Sequence, residues 1–197
     1  MKTTRILIVA VGGQGNILAS RVLGEAAVAA GIDVRMSEFH GMAQRGGVVE
    51  SMMLLGDGNG YCISDGTADV LMGFEPSETL RAAKKCGANS VVITNVKPLP
   101  PFTVALGKDQ YPDVDHAMRL MSERVKKVIA FDATSLALQA GSSLALNMVM
   151  LGALAQSGAI ALAPELLERI IREKTKKQFT DMNLKAFMLG IEKAANC

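Results

Sequence analysis

Residues 6–11 read Ile-Leu-Ile-Val-Ala-Val and run straight into Gly12-Gly13-Gln14-Gly15-Asn16. A segment apolar at every position suits a strand covered on both faces, as in a parallel sheet. The glycines supply a tight turn, and the Ala-rich stretch Ile17–Ala30 that follows reads as a helix closed by Gly31 as its C-cap. Residues Ile32–Met36 then read as a second strand. A β–glycine turn–α–β unit of this kind opens nucleotide-binding α/β folds. The expectation is a Rossmann-like, open, mostly parallel sheet with helices on both faces.

Further along, the pattern is interrupted and then resumes. Helical and strand periods both vanish from Ser37 to Gly47. Val48–Leu55 is strand-like, Gly56-Asp57-Gly58-Asn59-Gly60 is a strong turn, and Tyr61-Cys62-Ile63 is expected to return as a short hairpin partner. Strands are expected at Ala68–Phe74, Ser90–Asn95 and Val125–Phe131. Helices are expected at Ser77–Cys86 behind Pro76, at Val114–Arg124 and at Thr134–Gln139. Pro98, Pro100 and Pro101 exclude regular structure from one linker. From Leu144 the chain reads as helical almost to its end, at Leu144–Gln156, Pro164–Lys174 and Met182–Ala194. No repeat or domain linker interrupts it, so residues 1–197 are read as one α/β domain with a β-hairpin insertion and a helical C-terminal tail.

Composition removes several classes. With 49% hydrophobic and 20% charged residues, the chain is not of the disordered type. A formal charge of +2 is small for a nucleic-acid protein, and no nucleic-acid partner is expected. The apolar runs at 6–11 and 144–155 are too short to span a membrane or to form a signal-peptide core. Cys62, Cys86 and Cys197 are far apart and odd in number, which points to a reducing, cytoplasmic setting and away from a zinc or iron–sulfur site. His40 and His116 are the only histidines, so no multi-histidine metal site is available and no metal is expected. Twelve Met, four percent aromatics and no Trp mean a core filled by aliphatic and thioether side chains. That pattern fits an ordinary Met-filled core and equally a surface shared with a partner.

Two segments carry candidate chemistry. Backbone N–H groups at a glycine turn that opens a helix favour an anion such as phosphate, and the glycines allow close approach. Gly12, Gly13, Gly15 and Asn16 form this turn. It supplies G-x-G, but Leu18 stands at the third glycine position, and a purely structural turn remains the competing reading. Glu38 stands where an acidic ribose partner would fall in a dinucleotide fold. The second segment is His40-Gly41-Met42-Ala43-Gln44-Arg45-Gly46-Gly47. A long irregular stretch of this composition is characteristic of binding loops: Arg45 could hold a phosphate or carboxylate, with His40 a second candidate. The competing reading is a surface Arg45–Glu38 pair with His40 a bystander. Asn147, inside the apolar helix 144–155, is read as a buried amide satisfied locally. Gly56-Asp57-Gly58 reads as turn chemistry, and the cations from Arg169 to Lys177 as a solvated helix end. No residue is assigned a catalytic role.

Four segments taken together carry a resemblance. Val11-Gly12-Gly13-Gln14-Gly15, the His40–Gly47 stretch, Asn147-x-x-Met150-Leu151-Gly152-Ala153-Leu154 and Asn183-Leu184-Lys185-Ala186-Phe187-x-x-Gly190 are similar in order and spacing to the gamma domain of the 2-oxoacid:ferredoxin oxidoreductases. Within that family, Ala68-Asp69-Val70-Leu71-x-x-Phe74-Glu75-Pro76 resembles the small subunit of the indolepyruvate enzymes more than the pyruvate gamma subunit. The resemblance implies a subunit, inactive alone, of a complex that oxidatively decarboxylates a 2-oxoacid to an acyl-CoA. Thiamine diphosphate and iron–sulfur clusters are then expected on the large catalytic (alpha) subunit, with ferredoxin acting on the complex and no cofactor bound by this chain alone. Coenzyme A is expected to enter near this domain, at Gly12, Gly13, Gly15, Asn16, His40, Gln44, Arg45, Gly46 and Gly47. Asn16 departs from the small or aliphatic residue usual there. A pyruvate-type gamma subunit, a self-contained nucleotide-dependent dehydrogenase using Gly13, Gly15 and Glu38, and a scaffold that binds nothing are the alternatives. Self-association of the isolated chain through its apolar helices is left open.

Overall fold

A computed structural model describes residues 3–41, 47–58 and 60–197. In chain order the strands are β1 (Thr4–Val11), β2 (Val34–His40), β3 (Val48–Leu55), β4 (Ala68–Gly73), β5 (Cys86–Asn95) and β6 (Lys127–Phe131). They form one sheet in the order β2-β3-β1-β4-β5-β6. Pairs β1·β4, β4·β5 and β5·β6 are parallel, whereas β3 runs antiparallel to both β1 and β2. All strands but β3 therefore point the same way. Residues Ile6–Ala10 are fully buried at the centre, as the unbroken apolar run requires.

Among the described residues, eight α-helices cover the sheet. They are α1 (Asn16–Ala29), α2 (Pro76–Ala82), α3 (Phe102–Ala105), α4 (Val114–Ser122), α5 (Ala133–Ala140), α6 (Leu146–Gln156), α7 (Pro164–Lys174) and α8 (Thr180–Ala195). Most of the apolar core lies on one face, where α1 and α5 to α8 pack on Ile6, Ile8, Met53, Val70 and Met72. A thinner core under α2 and α4, including Leu7, Val9, Leu71 and Val92, fills the other. Helix starts follow from capping side chains: Glu75, Asp113 and Asp132 accept the N–H of Glu78, His116 and Ser135 respectively. Helix α6 is buried along nearly its whole length and lies at the domain centre, covered by this chain's own α8 and α5. It crosses α8 at Gly152 and Gly190. A Cβ at Gly152 would lie 2.0 Å from the Phe187 carbonyl oxygen, and one at Gly190 would lie 2.0 Å from that of Val149.

The hairpin differs from expectation. Residues Ser37–His40 are not irregular but continue β2, in register with Val49, Glu50, Ser51 and Met52 of β3. Tyr61–Ile63 is not a strand. The Gly56-Asp57 bend does end β3, with the Gly56 N–H donated to the Asp33 carbonyl. The returning chain then lies against the sheet instead of extending it. Ser37 Oγ donates to the Tyr61 carbonyl at 2.6 Å, and Ile63 is buried, its N–H turned to the Met52 sulfur. The antiparallel partners of β3 are thus β1 and the preceding strand, β2, and not the chain that follows it.

Candidate functional site

The connection after β1 crosses one face of the sheet and the connection after β4 crosses the other. The carboxyl ends of these two neighbours therefore form the topological switch point where open α/β sheets take ligands. The glycine turn lies there. Gly12 donates its N–H to the Gly47 carbonyl at 2.8 Å, which ties the two segments singled out in the sequence to each other. Gly13 and Gly15 have φ of +100° and +84°, a region other residues avoid. No described residue lies within 4 Å of a Cβ built on Gly13, whereas a Cβ at Gly15 would lie 2.5 Å from Asn147 Nδ2. The N–H groups of both glycines have no hydrogen-bond partner among the described residues.

Gln14 holds the turn together. Its Oε1 accepts the Val11 N–H at 2.8 Å, and its Nε2 donates to the Phe74 carbonyl at 3.2 Å, bridging the ends of β1 and β4. The same carbonyl accepts from Asn95 Nδ2 at 3.0 Å, and Asn95 Oδ1 accepts the Ala133 and Lys97 N–H groups. Glu75, fully buried, accepts from Ser77 Oγ, the Glu78 and Leu99 N–H groups and the Tyr111 hydroxyl. Burial, and then the Glu75 carboxylate, push the Tyr111 phenol well above its ordinary range, so it stays a donor. Burial likewise raises the Glu78 carboxyl, against the pull of Arg81 and with repulsion from Glu75 and Glu50. Gln14, Asn95, Glu75 and Tyr111 were not among the candidates read from the sequence. The Glu75-Pro76 step, an acidic cap before an N1 proline, is the one signal that could have drawn attention to Glu75.

The candidates divide sharply. Asn16 is 4% exposed: its Nδ2 donates to the Ile8 and Val49 carbonyls, and its Oδ1 accepts from Ser51 Oγ at 2.8 Å. Its side chain joins α1 to β1 and β3 and is spent inside the fold. Asn147 is locally satisfied as expected, donating to the Gly15 carbonyl at 3.3 Å and accepting the Met148 N–H. His40 ends β2 with its side chain 54% exposed and 3.8 Å from Glu38. With Phe39 and Val48 it faces Arg81, Lys84 and Lys85 across a cleft of about 370 Å³. Gly47 lies beside Gly12. Gln44, Arg45 and Gly46 lie outside the described residues, and the Arg45–Glu38 pair of the competing reading with them. The dehydrogenase reading fails on topology. Glu38 lies on β2, which β3 separates from β1, so it is two strand spacings, ~10 Å, from the glycine turn's strand. Among the described residues no group of three or more His, Cys, Asp or Glu is placed to hold a metal, and no helix is long and apolar enough to cross a membrane.

Comparison with known proteins adds a family. The model of a family described as "Pyruvate ferredoxin/flavodoxin oxidoreductase" matches residues 5–193. Indolepyruvate oxidoreductase subunit IorB of Methanothermobacter thermautotrophicus is 43% identical over 190 residues, covering 96% of this chain and 97% of that protein. The protein of the same name from Pyrococcus horikoshii is 40% identical over 196 residues, covering 98% and 97%. Among solved structures, the gamma subunit of a keto/oxoacid ferredoxin oxidoreductase from Geobacter sulfurreducens superposes with a TM-score of 0.71 at 24% identity, covering 98% of this chain and 99% of that one. The 2-oxoglutarate:ferredoxin oxidoreductase of Magnetococcus marinus gives 0.75 at 22% identity, and there the fold makes up 32% of a longer chain. At these identities the structures speak for the fold alone.

Proposed function

The chain belongs to the pyruvate ferredoxin/flavodoxin oxidoreductase family, and from that premise we propose that it is a required, non-catalytic subunit of a 2-oxoacid:ferredoxin oxidoreductase of the indolepyruvate type. The observation that carries this reading is end-to-end similarity: four proteins named for that subunit match at 39–43% identity over nearly their whole length. The solved pyruvate and 2-oxoglutarate relatives stand at 22–23%. Thiamine diphosphate and iron–sulfur clusters belong, on this reading, to a large partner subunit, where carbon–carbon cleavage and electron transfer to ferredoxin take place. This chain's part is to complete the complex near the path of coenzyme A, in the cytoplasm.

The turn favours an anion at one position. Among the described residues, Gly13 offers an unpaired N–H beneath open space ahead of α1, where the helix end is positive. Gly15 is closed by Asn147, and the Asn16 side chain is turned inward. The reading therefore narrows, among the described residues, to Gly12, Gly13, His40 and Gly47, and it keeps Gln44, Arg45 and Gly46 as candidates from the sequence.

Reconstitution tests it. The large subunit alone is expected to reduce ferredoxin poorly with indolepyruvate, and addition of this chain to restore the rate; full activity without it sinks the proposal. In the assembled complex Arg45→Ala is expected to raise the apparent KM for coenzyme A by about tenfold or more, the loss of one charge-assisted hydrogen bond. An equal effect on the oxoacid would mean damaged assembly instead.

A further inference from the structure

A second cleft, of about 550 Å³, opens where the first turns of α1 meet the turn after α5 and the link between α7 and α8. Its wall is apolar at Leu18, Leu144, Phe179 and Met182. Leu144 is 68% and Phe179 40% exposed, so large apolar side chains stand open to water here as a group.

Every charged residue that lines this cleft is a cation: Arg21, Lys174 and Lys176. Lys177 follows directly in the chain. Lys174 is held by Glu25 at 3.2 Å, but Arg21, Lys176 and Lys177 form no ion pair among the described residues. The sequence alone assigns the cations from Arg169 to Lys177 to a solvated helix end. The negative end of α7 does explain Lys174 in its last turn, and Arg172 is paired within the helix with Glu168. It does not explain Arg21, which reaches the same cleft from α1, nor the apolar wall that these cations share.

Cations around an exposed apolar wall match a segment that carries carboxylates beside an apolar side chain. A second copy of this chain fits poorly, because a two-fold contact would set Arg21 and Lys176 of one copy against the same cations of the other. The cleft also adjoins the glycine turn. Leu18 follows Gly15 by three residues, and Leu144 precedes by three the Asn147 that closes over Gly15. A partner that completes a site at Gly13 is therefore brought beside this cleft. We propose that the cleft is a docking point for the large partner subunit, where it takes an acidic segment anchored by an apolar side chain. The inference rests on the reading of this chain as a subunit of that complex, and it adds which face of the chain is covered.

Zero-length carbodiimide coupling tests it, because the reagent takes up water to join a lysine amine to a carboxylate only where the two touch. In a mixture of the whole chain and the large subunit, Lys176 or Lys177 is expected to be joined to an Asp or Glu of the large subunit. Arg21→Glu combined with Lys176→Glu, and separately Leu144→Asp, are each expected to weaken association by about tenfold or more. Association of the wild-type chain is expected to weaken as salt rises from about 50 to about 500 mM. Arg21, Leu144 and Lys176 are all exposed, so these variants probe the surface and not the fold, and unchanged melting temperatures check this. Association at wild-type strength in both variants overturns the inference and leaves the proposed function standing, as does coupling of these lysines only to another copy of this chain. Failure of the wild-type chain to associate with the large subunit at all overturns both.

Discussion

Glycines do opposite work at the α6–α8 crossing and at the turn after β1. At the crossing, Gly152 and Gly190 remove side chains so that two helix backbones touch, and nothing else can enter. At the turn, Gly13 leaves space above an N–H, both without a neighbour among the described residues. Both sets fall in the four segments that carry the family resemblance. A glycine in such a signature therefore marks either packing or access, and only its surroundings say which. Gly15 is intermediate: it has the backbone of the turn and the crowding of the crossing.

The largest effect is expected at the crossing. Gly152→Ala puts a methyl group 2.0 Å from the Phe187 carbonyl oxygen, and the obstacle is backbone, which cannot swing aside. The helices must separate and open the main core, at a cost of about 3 kcal/mol or more. For a chain of this length the melting temperature should fall by roughly 6–12 °C. A drop of under about 2 °C would mean that the crossing is plastic and that the contrast with the turn is wrong.

Gly15→Ala should cost less, about 2–3 kcal/mol, because its positive φ adds strain but its obstacle is a side chain. Asn147→Ala removes that obstacle. The double variant is therefore expected to be more stable than the sum of the two single changes predicts, with a coupling of at least about 0.5 kcal/mol in denaturant melts. Strict additivity would show that Asn147 does not close the turn.

Gly13→Ala should be milder in stability, about 1–2 kcal/mol, from backbone strain alone. Its larger effect is expected in the assembled complex, as a raised apparent KM for coenzyme A. Loss of stability without any change in coenzyme A kinetics would make Gly13 another purely structural glycine.

The sequence was most legible where one residue type decides the outcome locally. The run at 6–11, the glycine turn and Gly31 predict β1, its turn and α1 almost to the residue, because continuous burial and positive φ leave few options. It was least legible where the partner is distant in the chain. Residues 37–40 carry no strand signal of their own, and β3 alone recruits them. That intrusion also moves Glu38 away from β1, which no local pattern announces. The Gln14, Asn95 and Glu75 contacts join segments 21 to 60 residues apart, so they emerge only once β1, β4 and β5 lie side by side. Asn16 looked like part of a ligand site because it follows the turn, yet its first helical position aims it into the sheet.

The smallest expected effect uses pH to separate the two regions. The α6 side of the crossing has no titratable residue, so the penalty of Gly152→Ala should be nearly independent of pH. The carboxyl end of the sheet differs, because Glu78 is buried there with its carboxyl raised, first by burial and then by Glu75 and Glu50. A raised carboxyl favours the protonated form in the folded state. Its contribution to stability is present in full below the unfolded carboxylate value, near pH 4, and is lost as the pH climbs through the folded value. At neutral pH the chain thus carries an incompletely compensated buried charge, and one oxygen, Glu78 Oε2, has no hydrogen-bond partner among the described residues. Glu78→Gln should therefore raise the melting temperature slightly at pH 7, and the gain should close as the pH falls below about 4. A gain that is the same at both pH values would reflect side-chain packing instead of charge, and a loss at pH 7 would mean that Arg81, 3.7 Å away, already balances Glu78.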